Sequence, residues 1–317
     1  MRRILAECKL PVFAVVGPTA SGKTALAVEA CKAVGGEVVS CDSMQIYRGM
    51  DIATAKPTEE EMQGIPHHLI GYVDPCENYS VARYCEDAKK AIDDIHSRGK
   101  MPVLCGGTGL YYSSLADNVK FFDEESDLEY RALLFDRAEK EGAQVLLDEL
   151  REVDPGRAEF LHINDLNRIV RALEIYHTTG KSITRQNLES KLSPSPYEFR
   201  TVCLDAKDRQ FLYDRINRRV DIMLENGLLE EAKAFFENEK GNTAVQAIGY
   251  KELKPYLDGS ASLEECVENL KMQTRRYAKR QLTWFRRDER IKMINIDEDG
   301  DIPARALDVF QNGGDVI

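Results

Sequence analysis

The chain has 317 residues and a net charge of −11, with 43% hydrophobic and 31% charged residues. This composition is ordinary for a soluble globular protein of one large or two modest domains. No apolar run approaches the roughly 20 residues that span a bilayer, and the eight cysteines include no C-x-x-C pair, so neither a membrane protein nor a zinc protein is indicated.

The first predicted element is a buried strand, 12–16, that leads into a glycine-rich loop and then a helix. The loop fits the pattern G-x-x-x-x-G-K-[ST] at every fixed position. Its glycines let successive backbone N–H groups turn inward, and the helix that follows adds partial positive charge. We therefore expect phosphate binding by Gly17, Pro18, Thr19, Ala20, Ser21, Gly22, Lys23 and Thr24.

Two residues of this loop carry further chemistry. Lys23 contributes a full positive charge, and the Thr24 hydroxyl is expected to bind a Mg²⁺ ion that also binds the phosphates. The pattern does not decide whether those phosphates belong to a nucleotide.

Strands and helices continue to alternate through the first third of the chain, which is the pattern of a parallel sheet covered on both faces. Helix-stop glycines and capping residues support the boundaries. The predicted elements are a strand at 38–41 followed by Asp42, a helix at 80–97, and a strand at 101–105 followed by the glycine turn 106–109.

The middle of the chain has a different character. From about Asp117 to Ser190 it predicts only amphipathic helices, before a proline-containing linker at 193–196 and a strand at 200–204. The fold expectation is therefore α/β, a P-loop NTPase-like parallel sheet core with an inserted all-helical domain. The expected domains are the core, 1–117 and 198–317, and the insertion, 118–197.

The last third is predicted to be mainly helical. The expected helices cover 208–226, 228–239 and 263–287, and a final strand covers 291–296. The tail after Asp297 is polar and is expected to be peripheral.

Asp42 is the candidate acid of the site. A P-loop enzyme that hydrolyses ATP normally has a carboxylate at the end of a neighbouring strand to help hold magnesium, and the strand 101–105 ends in glycine instead. Asp42 could hold magnesium, as in a kinase, or accept a proton from a nucleophile, or cap a turn or helix. The residues alone leave these alternatives open.

Weaker signals surround this acid. Thr108 lies in a glycine turn where a backbone could approach a ligand closely. His67 and His68 are adjacent in a strand-like segment, so their side chains are expected to face opposite sides. Packing or hydrogen bonding is therefore favoured over a shared metal.

Three arginines crowd one predicted helix: Arg215, Arg218 and Arg219. Most such arginines are solvated or pair along the helix. One turned toward the phosphate loop could instead stabilise negative charge on a leaving diphosphate.

A basic stretch near the C-terminus contrasts with the acidic total. Residues 271–292 include nine basic and two acidic residues, a net charge of +7. A helical wheel predicts one face with Arg275, Lys279, Arg286 and Arg290, an adjoining face with Arg276, Arg280 and Arg287, and a core-facing side with Tyr277, Trp284 and Phe285. A continuous basic stripe favours a nucleic-acid backbone over a merely solvated face or an anionic membrane.

Seven motifs occur in order over nearly the whole chain: GPTASGKT at 17–24, DSMQIYRGMDIATAKPT at 42–58, IPHHLI at 65–70, GGTGLY at 106–111, NRIVRALEIY at 167–176, AIGYKE at 247–252 and TRRYAKRQLTWFRR at 274–287. Together they resemble the bacterial tRNA dimethylallyltransferases, also called tRNA isopentenyltransferases. A phosphate loop alone would be a weak resemblance, whereas this series is highly specific.

The resemblance implies a reaction. The phosphate loop, with Mg²⁺ as cofactor, would bind the diphosphate of dimethylallyl diphosphate, and the dimethylallyl group would go to N6 of the tRNA adenosine just 3′ of the anticodon. Asp42 would orient that amine and take its proton. Thr108 would hydrogen-bond in the same channel, and Arg219 would stabilise the leaving diphosphate. The adenine is expected to be flipped out of its stack.

The resemblance also implies contacts to the anticodon stem-loop by the helical insertion and the basic helix. The implied tRNA-binding residues are Asp42, Ser43, Met44, Gln45, Asn167, Arg168, Arg171, Arg275, Arg276, Lys279 and Arg280.

Other functions remain open on the residues. A small-molecule kinase would use Asp42 to activate a hydroxyl, but this alternative does not explain the basic helix or the insertion. An adenylate isopentenyltransferase would prenylate free AMP or ATP and need no RNA contact. A non-catalytic P-loop RNA-binding protein is a third alternative.

The chain start, 1–5, hints at a signal peptide. The apolar segment after it continues into the phosphate loop, which cleavage would destroy. We therefore expect a cytoplasmic protein with no membrane partner. We also expect a monomer, because one L-shaped RNA can wrap one subunit.

Overall fold

The computed structural model describes residues 9–121, 127–191, 193–237, 240–241, 243–298 and 300–312. The chain divides into two compact units, Met1–Ala116 with Pro196–Ile317, and Asp117–Ser195. These divisions lie one or two residues from the boundaries expected from the sequence.

The first unit contains a parallel sheet of six strands. The strands are β1 (Leu10–Val16), β2 (Gly36–Ser40), β3 (His67–His68), β4 (Met101–Gly106), β5 (Tyr197–Asp205) and β6 (Ile291–Asn295). Their order is β3–β2–β4–β1–β5–β6, so β1 lies between β4 and β5. The predicted α/β fold is confirmed, and the strand after the insertion returns to the sheet beside β1.

Helices make up most of the rest of the described chain. They are α1 (Lys23–Val34), α2 (Glu59–Met62), α3 (Val81–Ser97), α4 (Gly109–Ala116), α5 (Leu128–Glu141), α6 (Ala143–Val153), α7 (Pro155–Ala158), α8 (Leu166–Thr179), α9 (Ile183–Lys191), α10 (Arg209–Glu225), α11 (Leu228–Phe236), α12 (Tyr250–Leu257), α13 (Leu263–Phe285) and α14 (Ile302–Asn312). No helix in the described part of the chain is long and apolar enough to cross a bilayer.

The central strand β1 is buried on both faces. Val12, Ala14 and Val16 belong to one hydrophobic cluster, which includes residues of α3, α10 and α13. Phe13 and Val15 belong to a second cluster, which includes residues of α1 and α14. Because side chains alternate across a strand, the apolar run that predicted β1 places helices on both sides of the sheet.

The C-terminal tail contradicts the prediction that it is peripheral. Its helix α14 buries Ala306, Val309 and Phe310. The Phe310 ring stacks on that of Phe13, with 4.5 Å between the ring centroids. The three buried residues follow the spacing i, i+3, i+4 of an amphipathic helix, a signal that the polar composition of the tail obscures.

The described residues of the second unit form helices and no strand, as the sequence predicts. Its core is formed by apolar residues of α5, α6, α7 and α8. The sequence does not predict α7 and α9. The first of these is a single turn that starts with Pro155 at N1 and is capped by the Asp154 side chain.

A buried carboxylate stabilises the start of β2. Glu37 is 2% exposed and accepts hydrogen bonds from both Arg98 Nη atoms, at 2.6 and 2.7 Å, and from Lys100 Nζ at 2.7 Å. His68 Nε2 lies 2.7 Å from the same carboxylate. These bonds, above all those from Arg98, hold the pKa of Glu37 well below its ordinary value of 4.5.

Glu37→Gln is expected to lower the free energy of unfolding at pH 7 by about 1–3 kcal/mol. Because folding lowers the pKa of Glu37, its stabilising contribution is present above the ordinary value of 4.5 and is lost as the pH falls below it. Denaturant unfolding should therefore show a difference between wild type and variant that shrinks from pH 7 to roughly pH 3. The control is Glu29→Gln, an exposed residue paired with Lys32 on α1. A pH-independent difference would contradict the assignment.

Candidate active site

The phosphate loop connects β1 to α1 and requires glycine at two positions. Gly17 has a φ of 142°, and a Cβ there would lie 2.7 Å from the carbonyl oxygen of Leu204 in β5. Gly22 precedes α1 with a φ of 95°. Ser21 Oγ donates to the carbonyl of Pro18 at 2.9 Å, which closes the turn. The local sequence therefore predicts this loop correctly as a tight turn entering a helix.

Lys23 is the first residue of α1 and points back over the loop. Its Nζ donates to the carbonyl of Pro18 at 2.6 Å. Burial lowers the pKa of Lys23, the Arg219 guanidinium lowers it further, and the Asp42 carboxylate opposes this. The Arg219 guanidinium and the Asp42 carboxylate thus lie close enough to Lys23 to affect its pKa.

Two arginines of α10 lie near the loop. Arg215 Nε donates to the carbonyl of Ala20 at 2.8 Å. Arg219 Nη2 donates to the carbonyl of Ala55 at 3.5 Å. Burial lowers the pKa of Arg219, and carboxylates nearby, including Asp42, oppose that shift. The family resemblance implies Arg219 by its position, but Arg215, four residues earlier on the same face, makes the direct bond to the phosphate loop.

Asp42 follows β2 and forms a turn with its own backbone. Its Oδ1 accepts the N–H groups of Met44, at 2.9 Å, and of Gln45, at 3.3 Å. Oδ2 accepts no hydrogen bond from the described residues. The capping role that the sequence left open is therefore present, and it uses one carboxylate oxygen while leaving the other for a substrate or an ion.

Thr108 is held against the Asp42 turn by three bonds. Its N–H donates to the carbonyl of Cys41 at 3.1 Å. Its Oγ1 accepts the N–H of Ser43 at 3.0 Å and lies 3.2 Å from Ser43 Oγ. The structure thus brings Asp42 and Thr108, 66 positions apart in the sequence, to one edge of the sheet.

The glycines around Thr108 are required by protein neighbours. A Cβ on Gly106 would lie 2.1 Å from the carbonyl oxygen of Cys41, and one on Gly109 would lie 2.4 Å from Trp284 Cδ1. The sequence suggests that this turn admits a ligand close to the backbone. The atoms that exclude a side chain at these positions belong instead to Cys41, which follows β2, and to Trp284 of α13.

The loop 51–55 is held in place by a side chain of α11. Glu231 of α11 accepts the backbone N–H groups of Asp51, Ile52 and Ala53 at 2.9, 2.8 and 2.9 Å. The Tyr250 hydroxyl donates to the same carboxylate at 2.9 Å. One side chain therefore orders three consecutive amides of the loop 51–55.

That loop in turn holds Gln45. Gln45 Nε2 donates to the carbonyls of Thr54, at 3.2 Å, and Ala55, at 3.0 Å. Ala55 has a φ of 51° and also accepts the bond from Arg219. The sequence alone does not identify Glu231. This residue orders the loop that bonds Gln45 and Arg219, which the sequence does identify.

A small cavity adjoins Thr24, with room for about one water molecule. Ser40 Oγ and His67 Nε2 are buried there with no hydrogen-bond partner among the described residues. His67 Nδ1 lies 2.8 Å from the carbonyl of Ile65, so in the neutral ring Nε2 is an acceptor. The cavity is lined by Thr24, Val38, Ser40, Gln45, Pro57, His67, Ile70 and Cys105.

This donor set fits magnesium bound mainly through phosphate and water. The described residues contain no cluster of three or more His, Cys, Asp or Glu suited to a metal. Mg²⁺ usually keeps several waters and takes only one or two protein ligands beside substrate phosphates. The Thr24 hydroxyl could be such a ligand. Ser40 Oγ and His67 Nε2, which have no partner in the described part of the chain, could hydrogen-bond bound water.

The basic stripe is shorter than the wheel predicts. Helix α13 ends at Phe285, so Arg286 and Arg290 do not continue its face. Arg286 pairs with Asp205 through bonds of 3.0 and 2.6 Å. Arg290 pairs with Asp288 through bonds of 2.8 and 2.6 Å. The prediction of one continuous face from 275 to 290 is wrong, because the helix ends at Phe285 and acidic partners bind two of the four basic residues.

The remaining basic residues of α13 differ in exposure. Arg275 Nη1 donates to Asn217 Oδ1 at 2.6 Å and is half-buried. Arg276, Lys279 and Arg280 are exposed. An exposed basic surface of three side chains therefore remains on this helix.

The aromatic side of α13 is also only partly as predicted. Phe285 is fully buried, whereas Trp284 is 42% exposed. One edge of the Trp284 ring lies against Gly109, and the rest faces solvent. Two consecutive helical positions lie about 100° apart, so Trp284 lies farther from the core than Phe285.

In the second unit, the residues implied for tRNA contact lie on α8. Asn167 and Arg168 are exposed, and Arg168 makes a long ion pair of 3.4 Å with Asp165. Arg171 Nη1 donates to Glu174 at 2.7 Å, and Glu174 is 1% exposed. Arg171 is therefore also a structural residue, because it neutralises a buried carboxylate.

Comparison with known proteins identifies the family. A family model described as IPP transferase matches residues 45–288, and one described as isopentenyl transferase matches residues 10–73. A tRNA dimethylallyltransferase from Acetivibrio thermocellus is 50% identical over 289 residues, covering 90% of this chain and 92% of that protein. One from Halalkalibacterium halodurans is 47% identical over 291 residues, covering 92% of both.

Solved structures agree. A full-length tRNA isopentenylpyrophosphate transferase from Bacillus halodurans aligns with a TM-score of 0.70 and 44% identity, covering 95% of each chain. A eukaryotic dimethylallyltransferase, described as acting on tRNA, aligns with a TM-score of 0.75 and 33% identity over 95% of this chain and 78% of its own.

The chain belongs to the tRNA dimethylallyltransferase family. As a member of this family it is an enzyme, a prenyltransferase, and the resemblance of its motifs is confirmed. The kinase and adenylate isopentenyltransferase alternatives are not favoured.

The sequence alone does not identify one acidic residue near the site, Asp205. Asp205 ends β5, the other neighbour of β1, where a magnesium-binding carboxylate could lie. Its Oδ2 is bonded to Arg286, and its Oδ1 accepts the N–H of Ala206 at 2.8 Å. Both oxygens are therefore committed to protein donors.

Glu231→Gln is expected to loosen the loop 51–55, because an amide NH₂ would face backbone N–H donors. Hydrogen exchange of the amides at 51–53 should quicken roughly fivefold to thirtyfold, which corresponds to about 1–2 kcal/mol. Exchange measured by mass spectrometry on peptides covering this loop tests the expectation. The neighbouring Glu230→Gln is the matched control. Equal exchange in both variants would show that Glu231 does not order the loop.

Proposed function

We propose that this chain transfers a dimethylallyl group from dimethylallyl diphosphate to N6 of the adenosine 3′-adjacent to the anticodon in tRNA. The observation that carries the proposal is the juxtaposition of two groups at the carboxyl edge of the sheet. One is a phosphate loop with the half-buried Lys23, and the other is Asp42, whose Oδ2 accepts no hydrogen bond from the described residues. Membership of the family supports the same reaction.

The phosphate loop would bind the donor through its diphosphate. The allylic C–O bond breaks, and its electron pair goes to the leaving diphosphate oxygen. Lys23 and Arg219, two cations near each other and near Asp42, stabilise that developing negative charge. Arg215, bonded to the carbonyl of Ala20, adds a third positive charge beside the loop.

Asp42 would act on the acceptor. The N6 lone pair forms the new C–N bond, and the proton that N6 loses passes to Asp42 Oδ2. Oδ1 keeps the carboxylate oriented through Met44 and Gln45 N–H. Thr108 stabilises this turn through Ser43 and would hydrogen-bond the base.

Magnesium fits this site with Thr24 as its protein ligand, and when bound it would neutralise charge on the diphosphate. The chain's own part is to present the Thr24 hydroxyl at the first turn of α1. Ser40 and His67 would hydrogen-bond water in the adjoining cavity.

The tRNA would be held by residues of both units. Arg276, Lys279 and Arg280 offer exposed charge to the phosphate backbone, with Arg275 beside them. Asn167, Arg168 and Arg171 of α8 would contact the anticodon stem-loop. Ser43, Met44 and Gln45, next to Asp42, would contact the flipped adenine. We also propose that the protein acts in the cytoplasm as a monomer.

The test of the proposed function offers each candidate acceptor separately. The protein is incubated with dimethylallyl diphosphate and Mg²⁺ together with unmodified tRNA, AMP or ATP, and products are identified by mass spectrometry. Prenyl mass on tRNA alone, located at the adenosine 3′ of the anticodon, supports the proposal. Prenyl on AMP or ATP, or consumption of ATP with transfer of phosphate, would refute it.

Asp42→Asn should lower kcat by about 10²- to 10⁴-fold while leaving tRNA affinity largely intact. The amide oxygen can still accept the two backbone N–H bonds, but the amide cannot take the proton. Steady-state transfer and a tRNA binding assay measure the two effects. Asp214→Asn, an exposed residue of α10 bonded to Gln210, serves as control. Lost tRNA affinity with little lost turnover would mean that Asp42 has another role.

A further inference from the structure

Gln281 of α13 joins the phosphate loop to the glycine turn. Its Oε1 accepts the N–H of Thr19 at 3.0 Å, and its Nε2 donates to the carbonyl of Gly107 at 2.9 Å. The orientation of the amide follows from its partners, since one offers a donor and the other an acceptor. One side chain therefore bonds two loops that lie 262 and 174 positions away from it.

The surroundings leave this amide no alternative position. Gln281 is 5% exposed. A Cβ on Gly107 would lie 2.1 Å from Gln281 Nε2 and 3.2 Å from the carbonyl oxygen of Gly17. Position 107 therefore needs glycine because the amide and the phosphate loop occupy the space of a side chain.

The helix that carries Gln281 is itself anchored. Helix α13 begins with a capping box at Ser262 and Glu265. Ala278 and Phe285, on the turns before and after Gln281, are fully buried. Because the backbone on both sides is packed in the core, the position of the amide is set by the fold.

Each end of the Gln281 amide bonds a loop connected with one substrate of the proposed reaction. Thr19 lies in the loop proposed to bind the donor diphosphate. Gly107 precedes Thr108, which bonds Ser43 and so the turn of Asp42, proposed to bind the acceptor amine. A side-chain connection from the donor loop to the acceptor turn thus passes through Gln281.

We infer that Gln281 is a positioning residue that sets the distance between the allylic carbon of the donor and N6 of the adenine. The inference rests on the proposed function. Transfer between two bound substrates depends strongly on the separation and alignment of the reacting atoms, and a misplacement of about 1 Å can cost roughly 10²-fold. Binding of each substrate alone depends on its own loop and not on the separation of the two.

The test compares Gln281→Met, which keeps the length and apolar volume of the side chain, with wild type. Gln273→Met is the matched control, because Gln273 lies two turns earlier on α13 and bonds Asn269 of the same helix. Single-turnover transfer to tRNA, the Kd of inorganic diphosphate, the Kd of an anticodon stem-loop RNA and thermal unfolding are measured for each.

For Gln281→Met the single-turnover rate should fall roughly 10- to 100-fold, while both Kd values stay within about threefold of wild type. The control should match wild type in all of these. If Gln281→Met does not fold, Gln281→Leu takes its place with the same expectation, because it also removes both hydrogen bonds and introduces no charge beside the phosphate loop.

Two outcomes overturn the inference alone: an unchanged rate in the Gln281 variants, or a rate that falls only in parallel with diphosphate affinity, which would make Gln281 a structural support of the loop. A purely structural role would lower thermal stability without separating rate from affinity. Absence of transfer to tRNA by wild type would overturn the proposed function, and this inference with it.

Discussion

The candidate site depends on one close contact between two strand ends. A Cβ on Gly106, the last residue of β4, would lie 2.1 Å from the carbonyl oxygen of Cys41, which follows β2. The same carbonyl accepts the N–H of Thr108 at 3.1 Å. Because these parallel strands end side by side, Asp42 and Thr108 share one edge of the sheet with the phosphate loop that follows β1. Any side chain at position 106 would separate them.

Much of this arrangement could be predicted because its signals are local in the sequence. The eight-residue phosphate loop, the apolar strand before it and the cap of α3 at Ser80 each depend on residues a few positions apart. Alternation of such elements was enough to predict the parallel sheet, and the series of motifs was enough to predict the family, both of which are confirmed. The chemical role of Asp42 stays a prediction, since its turn is equally what a structural aspartate would form.

The rest could not be predicted because it depends on partners far apart in the chain. A helical wheel assigns faces to α13, but it shows neither where the helix ends nor which acid meets Arg286, and Asp205 lies 81 positions away. Gln281 reads as one polar residue among basic ones, and only the fold shows that both atoms of its amide are used. The same holds for Glu231, whose three amide partners lie 178 to 180 positions earlier.

The charges of the site match a reaction in which charge separates. Lys23 and Arg219 are cations whose pKa values are lowered by burial, so each gains from an anion brought close. In the proposed transfer the leaving diphosphate becomes more negative as the C–O bond breaks, and the attacking amine becomes more positive. In that proposed reaction, the two half-buried cations and the Asp42 carboxylate would stabilise the transition state more than the bound substrates. Such stabilisation requires the phosphate loop and the Asp42 turn to be held at a fixed distance. The bonds of Gln281 to Thr19 and Gly107 connect these two parts of the site.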